Sequence, residues 1–383
     1  MPIRYPVSQP VLLGNEKSYV MDAIETTWIS SNGPYISRFE KALGDYLALD
    51  GCLVTNNGTT ALHLACLAMG LKPGDEVIVP SLTYVASANA VAYCGARPVF
   101  ADADHATWNV TVESISQAWT ERTVGVMAVH LYGLPCPITA VADLCRERGA
   151  WLIEDCAESF GASVGGRMTG TFGDAAVFSF YGNKTISTGE GGMLWVRDGE
   201  ARDHARMLRG QGMDLNRRYW HPVIGYNYRM TNVAAAIGLA QIEMADHHLT
   251  ERRRIALRYR DRLESLASEG LLKLPAEIDG YVSTHWLFSV VLERGDADDR
   301  DHLMRILAED HGIETRPFFV PMHRLPMYAE GQSLPNAEFL GDHGVNLPTY
   351  SGLADEDIDR ICMALANSVR RIANRPAPGT SNE

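Results

Sequence analysis

Short apolar runs alternate with helix-like segments between residues 52 and 250. The runs are almost continuously apolar, which is typical of strands that are buried on both faces. The predicted strands are residues 52–55, 76–80, 97–100, 124–129, 151–153, 175–180 and 192–196. The predicted helices between them are residues 59–69, 81–94 and 138–148. This alternation predicts an α/β fold with a mostly parallel sheet that is flanked by helices.

The pattern changes towards the C-terminus. Residues 240–266 predict a long charged helix, and a strand-like segment follows at 284–293. Helical spacing returns at residues 298–308 and 355–372. We therefore predict a large domain over residues 1–245, a smaller C-terminal α+β domain over 246–372, and a disordered tail over 373–383, which lacks apolar periodicity.

Composition limits the kinds of partner. The formal net charge of −13 argues against general affinity for nucleic acid or anionic membranes. The sequence contains no apolar run long enough to span a bilayer. The N-terminal residues 1–6 have no apolar core of a signal peptide, so we expect a cytoplasmic protein.

Several kinds of site are not supported by the sequence. The seven cysteines are scattered without CxxC spacing, which predicts reduced and mostly buried thiols. Motifs of the H-E-x-x-H, G-x-S-x-G and G-x-G-x-x-G types do not occur at the required places. A metal site therefore has no support, and a nicotinamide enzyme is not expected.

Lys184 carries the most informative chemistry. It follows a predicted strand that ends near Ser179, and a Gly-Glu-Gly-Gly turn comes soon after it. Asp155 follows another buried strand, and Glu158 lies three residues further on. A lysine can form a Schiff base with an aldehyde cofactor, and an acid can keep the pyridine nitrogen of that cofactor protonated. The alternative for Asp155 is a cap on a helix over residues 156–160.

Two further segments follow strands at the same predicted edge of the sheet. Asn57, Gly58 and Thr59 join a strand to a helix, where free N–H groups and the helix dipole favour a phosphate. The alternative is that Asn57 or Thr59 only caps the helix. Tyr84 follows the strand at 76–80 and can stack on a cofactor ring, although an isolated aromatic residue is more often part of a core.

A glycine-punctuated, basic and aromatic loop covers residues 209–222, and residues 225–230 lead from it into an alanine-rich helix. Such loops often contact a ligand or a partner subunit. Arg217 and Arg229 lie in these segments, and arginine suits a diphosphate. The alternative is a loop that is held together by its own aromatic side chains.

These motifs resemble the sugar aminotransferases of the DegT/DnrJ/EryC1/StrS family, and the resemblance covers about residues 10–372. The specific matches are residues 57–62, 75–80, 154–158 and 179–192. The resemblance implies the aspartate-aminotransferase fold (fold type I) with pyridoxal 5′-phosphate as the cofactor. It also implies a homodimer with shared active sites, in which Asn227 reaches the cofactor phosphate of the partner subunit.

The resemblance assigns the other residues as follows. Lys184 would hold the cofactor and move protons, and Asp155 would pair with the pyridine nitrogen. The remaining cofactor contacts would be Gly58, Thr59, Tyr84, Glu158 and Ser179. Glu158 stands where many relatives carry glutamine. The candidate substrate contacts are Ser30, Arg217, Arg229 and His323.

Residues 27–33, 180–184 and 209–232 most resemble family members that make GDP-perosamine. The implied reaction moves an amino group from L-glutamate to GDP-4-keto-6-deoxy-mannose. A 3-keto isomer, a different nucleotide and a pyridoxal-phosphate-dependent sugar dehydratase are the alternatives. The dehydratases of the family carry histidine in place of the lysine, so Lys184 favours transamination. A regulator that binds a ligand without catalysis is disfavoured by the pairing of Lys184 with Asp155.

Overall fold

A computed structural model describes residues 2–373 of the chain. The helices are α1 (Glu16–Glu25), α2 (Pro34–Leu47), α3 (Gly58–Ala68), α4 (Ala86–Tyr93), α5 (Val112–Gln117), α6 (Ile138–Arg148), α7 (Gly199–Arg209), α8 (Asn232–Glu243), α9 (Ala245–Ser268), α10 (Ala297–His311), α11 (Pro335–His343) and α12 (Asp355–Ala373). Two short 3₁₀ helices lie at Leu131–Gly133 and Met322–Arg324.

The strands of the first half are β1 (Leu53–Thr55), β2 (Glu76–Pro80), β3 (Arg97–Ala101), β4 (Thr123–Val129), β5 (Trp151–Asp155), β6 (Ser163–Val164), β7 (Arg167–Met168), β8 (Ala175–Ser179) and β9 (Gly192–Val196). Those of the second half are β10 (Leu272–Lys273), β11 (Tyr281–Val282), β12 (Phe288–Leu292), β13 (Arg316–Pro317) and β14 (Gly344–Leu347).

The largest sheet has seven strands in the order β1-β9-β8-β5-β4-β2-β3. β9 runs antiparallel to both of its neighbours, and the other six strands are parallel to one another. Every residue of β1, β2 and β9 is buried, as expected for a sheet that is covered on both faces. The predicted α/β fold with a mostly parallel sheet is confirmed.

The C-terminal half builds a second, antiparallel sheet in the order β10-β12-β14-β13. α9, α10 and α12 contribute to its apolar core, together with Tyr5 from the other end of the chain. A small third sheet has the order β11-β6-β7. The domain limits at 245 and 372 stay a prediction. The predicted tail falls outside the described residues apart from Ala373, which ends α12.

Some elements differ from those that the pattern predicts. The helix predicted over 81–94 begins only at Ala86, because residues 81–85 form a loop at the sheet edge. The single helix predicted over 240–266 is two helices that meet at Met244, whose backbone leaves the helical conformation. Among residues 2–373, none of the helices combines the length and the apolar character that a bilayer crossing requires.

Candidate active site

One cavity of about 570 Å³ lies at the carboxyl edge of the seven-stranded sheet. Segments that follow β1, β2, β4, β5 and β8 each contribute to its wall, as expected because the ends of parallel strands meet at one edge. Segments around β12, β13 and β14 close it from the other side. The lining from this second half of the chain comprises Trp286, Leu287, Arg316, Pro317, Phe319 and Asn346.

The start of α3 forms a cradle beside Ser179. The Asn57 side chain accepts a hydrogen bond from the Thr60 amide at 2.9 Å, so this residue does cap the helix. Gly58 and Thr59, in the first turn, still line the cavity, where the N–H groups of a helix start lack partners within the helix. A Cβ atom added to Gly58 would lie 3.0 Å from the Ser179 Cβ. Glycine at position 58 therefore allows Ser179 to lie close to the start of α3. The resulting cradle suits a phosphate.

Asp155 ends β5 inside the cavity. Its Oδ2 accepts a hydrogen bond from the Ser87 hydroxyl at 2.8 Å, and its Oδ1 accepts one from the Ala157 amide at 3.1 Å. Burial raises the pKa of Asp155, although these two donors and Lys184 oppose the shift. Residues 156–160 form turns, so the alternative that Asp155 caps a helix there is wrong. The carboxylate makes no ion pair within residues 2–373, which leaves it ready for a cationic ring nitrogen.

Lys184 lies on the loop after β8, where its ammonium has two neighbours. The Glu158 Oε1 is 3.7 Å from Nζ, and the centroid of the Trp286 ring is 3.6 Å away. The Trp286 indole is fixed in turn, because its Nε1 donates to the Asn183 carbonyl at 2.7 Å. Burial lowers the pKa of Lys184, while Glu158 and Asp155 oppose that shift. A lysine with a lowered pKa is suited to act as a base or nucleophile.

Glu158 is held by the backbone. Its Oε2 accepts a hydrogen bond from the Tyr132 amide at 2.8 Å. Burial raises the pKa of Glu158 to about 7, and the charge of Lys184 opposes the shift. A carboxyl group that titrates near neutrality can exchange a proton with the neighbouring lysine.

The mouth of the cavity carries an aromatic ring and a cation. Tyr84 is 57% exposed, and its ring centre lies 5.8 Å from that of Phe319, so it is not a core residue. Arg316 begins β13 on the opposite wall, with its guanidinium 3.8 Å from Glu314. Among the described residues that line the cavity, Lys184 and Arg316 supply the positive charge.

Seven of the predicted site residues therefore share one cavity: Gly58, Thr59, Tyr84, Asp155, Glu158, Ser179 and Lys184. Five others lie outside its lining: Ser30, Arg217, Asn227, Arg229 and His323.

Four of these five lie in or near the loop segments. Ser30 and Asn227 are exposed, and the Ser30 carbonyl accepts a hydrogen bond from the Asn232 amide. The Arg217 guanidinium lies 4.5 Å from the ring centre of Trp220. The Arg229 backbone forms an isolated antiparallel β-bridge with Thr55, at the end of β1. Their substrate and cofactor contacts stay predictions, as a contact with a partner subunit's site would involve a second chain.

His323 is buried instead of exposed to the cavity. Its Nδ1 lies 2.7 Å from the Ser81 Oγ, and its Nε2 lies 3.1 Å from the Glu338 Oε1. The Ser81 carbonyl also accepts a hydrogen bond from the Met322 amide. His323 thus joins the end of β2 to α11, just before the loop that carries Tyr84.

Over residues 12–366, the sequence matches the DegT/DnrJ/EryC1/StrS aminotransferase family. The chain belongs to this family. It is 48% identical to the GDP-perosamine synthase of Caulobacter vibrioides over 364 residues, which are 94% of the chain and 97% of that protein. It is 46% identical to the GDP-perosamine synthase of Escherichia coli O157:H7, with the same two coverages over 361 residues. The resemblance to this family and the predicted aminotransferase activity are confirmed.

Solved structures of aminotransferases have the same fold. The aminotransferase TlmJ from Streptoalloteichus hindustanus superposes with a TM-score of 0.91 at 34% identity, covering 96% of this chain and all of that one. The PLP-form of Spr1654 from Streptococcus pneumoniae superposes with a TM-score of 0.90 at 25% identity, covering 96% of this chain and 99% of that one. The predicted aspartate-aminotransferase fold is confirmed.

The residues of this member of the DegT/DnrJ/EryC1/StrS family fit pyridoxal phosphate. The cradle at Gly58 suits its phosphate, the buried Asp155 suits its ring nitrogen, and Lys184 has the amine that its aldehyde needs. Trp286 and Arg316 also line the cavity, but they were not predicted from the sequence, because both are far from the motifs. The one available signal for Arg316 was its position seven residues before His323.

Proposed function

We propose that this chain is a pyridoxal-phosphate-dependent enzyme that moves an amino group from L-glutamate to GDP-4-keto-6-deoxy-mannose, which yields GDP-perosamine. The observation that carries the proposal is the placement of Lys184 and the buried Asp155 in one cavity. The choice of sugar rests on the 46% and 48% identity to two GDP-perosamine synthases along almost the whole chain.

The cofactor would be held by groups at the sheet edge. The first turn of α3, at Gly58 and Thr59, and the hydroxyl of Ser179 would bind the phosphate. Asp155 would keep the ring nitrogen protonated, and the exposed ring of Tyr84 would cover one face of the cofactor. When it is bound, pyridoxal phosphate supplies an aldehyde that takes up the amino group and a ring that withdraws electrons from the reacting carbon.

Lys184 would move the protons. Its Nζ would take the proton from the α-carbon of the amino donor, because burial favours the neutral amine. Glu158, 3.7 Å away, would receive or return a proton as the lysine changes charge. The face of Trp286 would steady the ammonium by a cation–π contact whenever Lys184 is not attached to the cofactor.

The substrates would be oriented by positive charge at the mouth of the cavity. Arg316 offers a guanidinium to a carboxylate of L-glutamate. The diphosphate of the sugar nucleotide would be bound by Arg217 and Arg229, with Ser30 nearby. We expect a homodimer in which Asn227 of each subunit completes the phosphate site of its partner.

The test is an amination assay with purified enzyme, L-glutamate and GDP-4-keto-6-deoxy-mannose, with the product identified by mass spectrometry. The GDP-linked 3-keto sugar and the dTDP-linked 4-keto sugar are run in parallel, and Lys184→Ala is the control. We expect a GDP-amino sugar from the first substrate only, and no product from the variant. Faster turnover of another acceptor would contradict the proposed acceptor sugar. Conversion of the sugar without glutamate would indicate a dehydratase.

A further inference from the structure

One buried arginine on α9 has no acidic partner. Arg252 is 3% exposed, and none of the described residues places a carboxylate within ion-pair distance of it. Burial lowers the pKa of Arg252 to about 10, so the guanidinium is still charged near neutral pH. A buried cation without a counter-charge is costly to a fold. The groups that Arg252 holds therefore indicate its role.

The guanidinium joins two backbone segments of the C-terminal half. The Arg252 Nη1 donates to the carbonyl oxygens of Trp286 and Thr349, and the second of these bonds is 3.2 Å long. The Thr349 hydroxyl in turn accepts a hydrogen bond from the Phe288 amide at 2.8 Å. Trp286 lies just before β12 and Thr349 lies just after β14, which pairs with β12. Arg252 thus fixes the place where these two strands meet the cavity.

The backbone around Trp286 is constrained on its other side as well. His285 has a φ of +48°, in the left-handed region that residues other than glycine rarely adopt. Its amide donates to the Ser283 hydroxyl at 3.1 Å, and the Thr284 hydroxyl donates to the Glu158 carbonyl at 3.2 Å. A strained conformation persists only where the surrounding contacts hold it, and such residues cluster at functional sites. The Arg252 bond to the next carbonyl is one of these contacts.

The Trp286 side chain transmits this constraint to the reactive lysine. Its ring centre lies 3.6 Å from the Lys184 Nζ, and its Nε1 donates to the Asn183 carbonyl at 2.7 Å. The indole is also stacked on the Tyr132 ring, with 6.2 Å between ring centres and 19° between planes. If the Trp286 backbone turned, the indole would leave the lysine and the backbone of the residue before it. The position of the indole therefore depends on what holds the Trp286 carbonyl.

We propose that Arg252 is a positioning residue for the proposed reaction, because its hold on the Trp286 carbonyl keeps the indole against Lys184 and the Asn183 backbone. The inference rests on the proposed function of Lys184 as the group that moves protons. The indole limits the positions open to the lysine amine when it is not attached to the cofactor. A fixed amine reaches the reacting carbon more often than a mobile one.

The charge of Arg252 has a separate effect on the same lysine. Burial is the main cause of the lowered pKa of Lys184, and the guanidinium contributes in the same direction, while Glu158 and Asp155 oppose both. Loss of the charge would raise the proton affinity of Lys184 whether or not the indole is in place. Variants that lack the indole therefore separate this effect from positioning.

The first test locates the indole without any substrate. The full chain is labelled with 5-fluorotryptophan and studied by fluorine NMR with and without pyridoxal phosphate, and Trp286→Phe identifies the Trp286 signal. We expect Arg252→Met to shift or broaden this signal, because the Trp286 carbonyl loses its donor. Arg252→Lys keeps a donor and should restore the native signal in part.

Arg300→Met is the matched control, because Arg300 is another buried arginine that donates to a backbone carbonyl, that of Gly341 at 3.0 Å. This control should leave the Trp286 signal unchanged. Thermal unfolding shows whether each variant folds. Arg252→Gln is neutral and too short to reach both carbonyl groups, so it should give the same change if the methionine variant does not fold. A native Trp286 signal in a folded methionine or glutamine variant would overturn the proposal.

The second test asks whether Arg252 acts through the indole. We expect Arg252→Met to lower kcat by about tenfold, with KM for both substrates within about twofold, since the substrate contacts remain. In a Trp286→Leu background, the same substitution should lower kcat by less than about threefold. Equal fold losses in the two backgrounds would contradict a positioning role. A native enzyme that does not aminate the proposed sugar would contradict the proposed function alone, because the fluorine spectra need no substrate.

Discussion

At the scale of single residues, the site pairs each charge with a group that changes its proton affinity. Lys184 lies between a carboxyl group and an aromatic face, and Asp155 is buried with a hydroxyl donor. The sequence predicted these two residues because each follows a buried strand and has a side chain that suits cofactor chemistry. Trp286 was not predictable, because a lone tryptophan far along the chain has no pattern that distinguishes it from a core residue.

We predict that Asp155→Asn lowers turnover by about 10² to 10³, because an amide cannot stabilise a protonated ring nitrogen as a carboxylate does. Steady-state kinetics with glutamate provide the measurement. Ser87→Ala, which removes one donor to the same carboxylate, is the matched control and should have a much smaller effect. A loss of less than about tenfold for the asparagine variant would mean that Asp155 has another role.

A second residue-scale prediction concerns Glu158, whose pKa is raised to about 7 by burial. The folded state then binds a proton more tightly than the unfolded state, so this group's contribution to stability falls as pH rises from about 4.5 to about 7. The glutamine in Glu158→Gln does not titrate, so the variant does not lose stability in this way. We expect the free energy of unfolding of the variant, relative to that of the native protein, to increase by on the order of 2–3 kcal/mol from about pH 5 to about pH 8.

Urea unfolding of the cofactor-free proteins at the two pH values measures this difference. Glu190→Gln is the control, because Glu190 also lines the cavity but is exposed. If the stability difference between native protein and Glu158→Gln is the same at both pH values, Glu158 titrates as an ordinary surface carboxyl group.

At the scale of elements, the carboxyl ends of the strands determine where the chemistry lies. The apolar runs predicted the strands of the large sheet, because strands buried on both faces leave a clear signal. The break between α8 and α9 at Met244 was missed, since no proline or glycine marks it. The loop before α4 was also missed, as Ser81 to Val85 do not disrupt a helical pattern by composition.

The buried connection Ser81–His323–Glu338 gives a prediction at this scale. His323→Ala leaves two polar groups without their partner, so we expect a loss of about 1–3 kcal/mol in stability and weaker cofactor binding, as the Tyr84 loop loosens. His323→Gln can retain part of the hydrogen bonding and should recover part of both losses. Urea unfolding and cofactor dissociation are the measurements. A raised KM for the sugar nucleotide with unchanged stability would instead support a direct substrate contact.

At the scale of the whole molecule, the site is assembled from distant parts of the chain. The strand ends of the large sheet around Lys184 were predictable from the sequence. The wall that the C-terminal half contributes was not, because its position depends on tertiary packing. Several predicted contacts lie outside this chain's cavity, among them Asn227. A second subunit would account for their position, and the exposed apolar side chains of Trp220 and Ile224 in the same loop region agree with such a contact.

Mixing two inactive variants tests shared sites. Lys184→Ala removes the amine, and Asn227→Asp places a negative charge at the phosphate of the partner's site. If the sites are shared, a mixed dimer has one intact site, so random exchange of equal amounts should restore about a quarter of native activity. Activity after mixing and subunit exchange is the measurement. No recovery, with exchange verified by mass spectrometry, would place Asn227 and Lys184 in the same subunit's site.

The contact between Trp286 and Lys184 has a consequence for synthesis of the protein. The lysine leaves the ribosome long before the tryptophan, and Arg316 emerges later still. A growing chain that already contains every strand of the large sheet therefore lacks one wall around its reactive amine. The cavity that would receive the cofactor can therefore be completed only during the last third of translation.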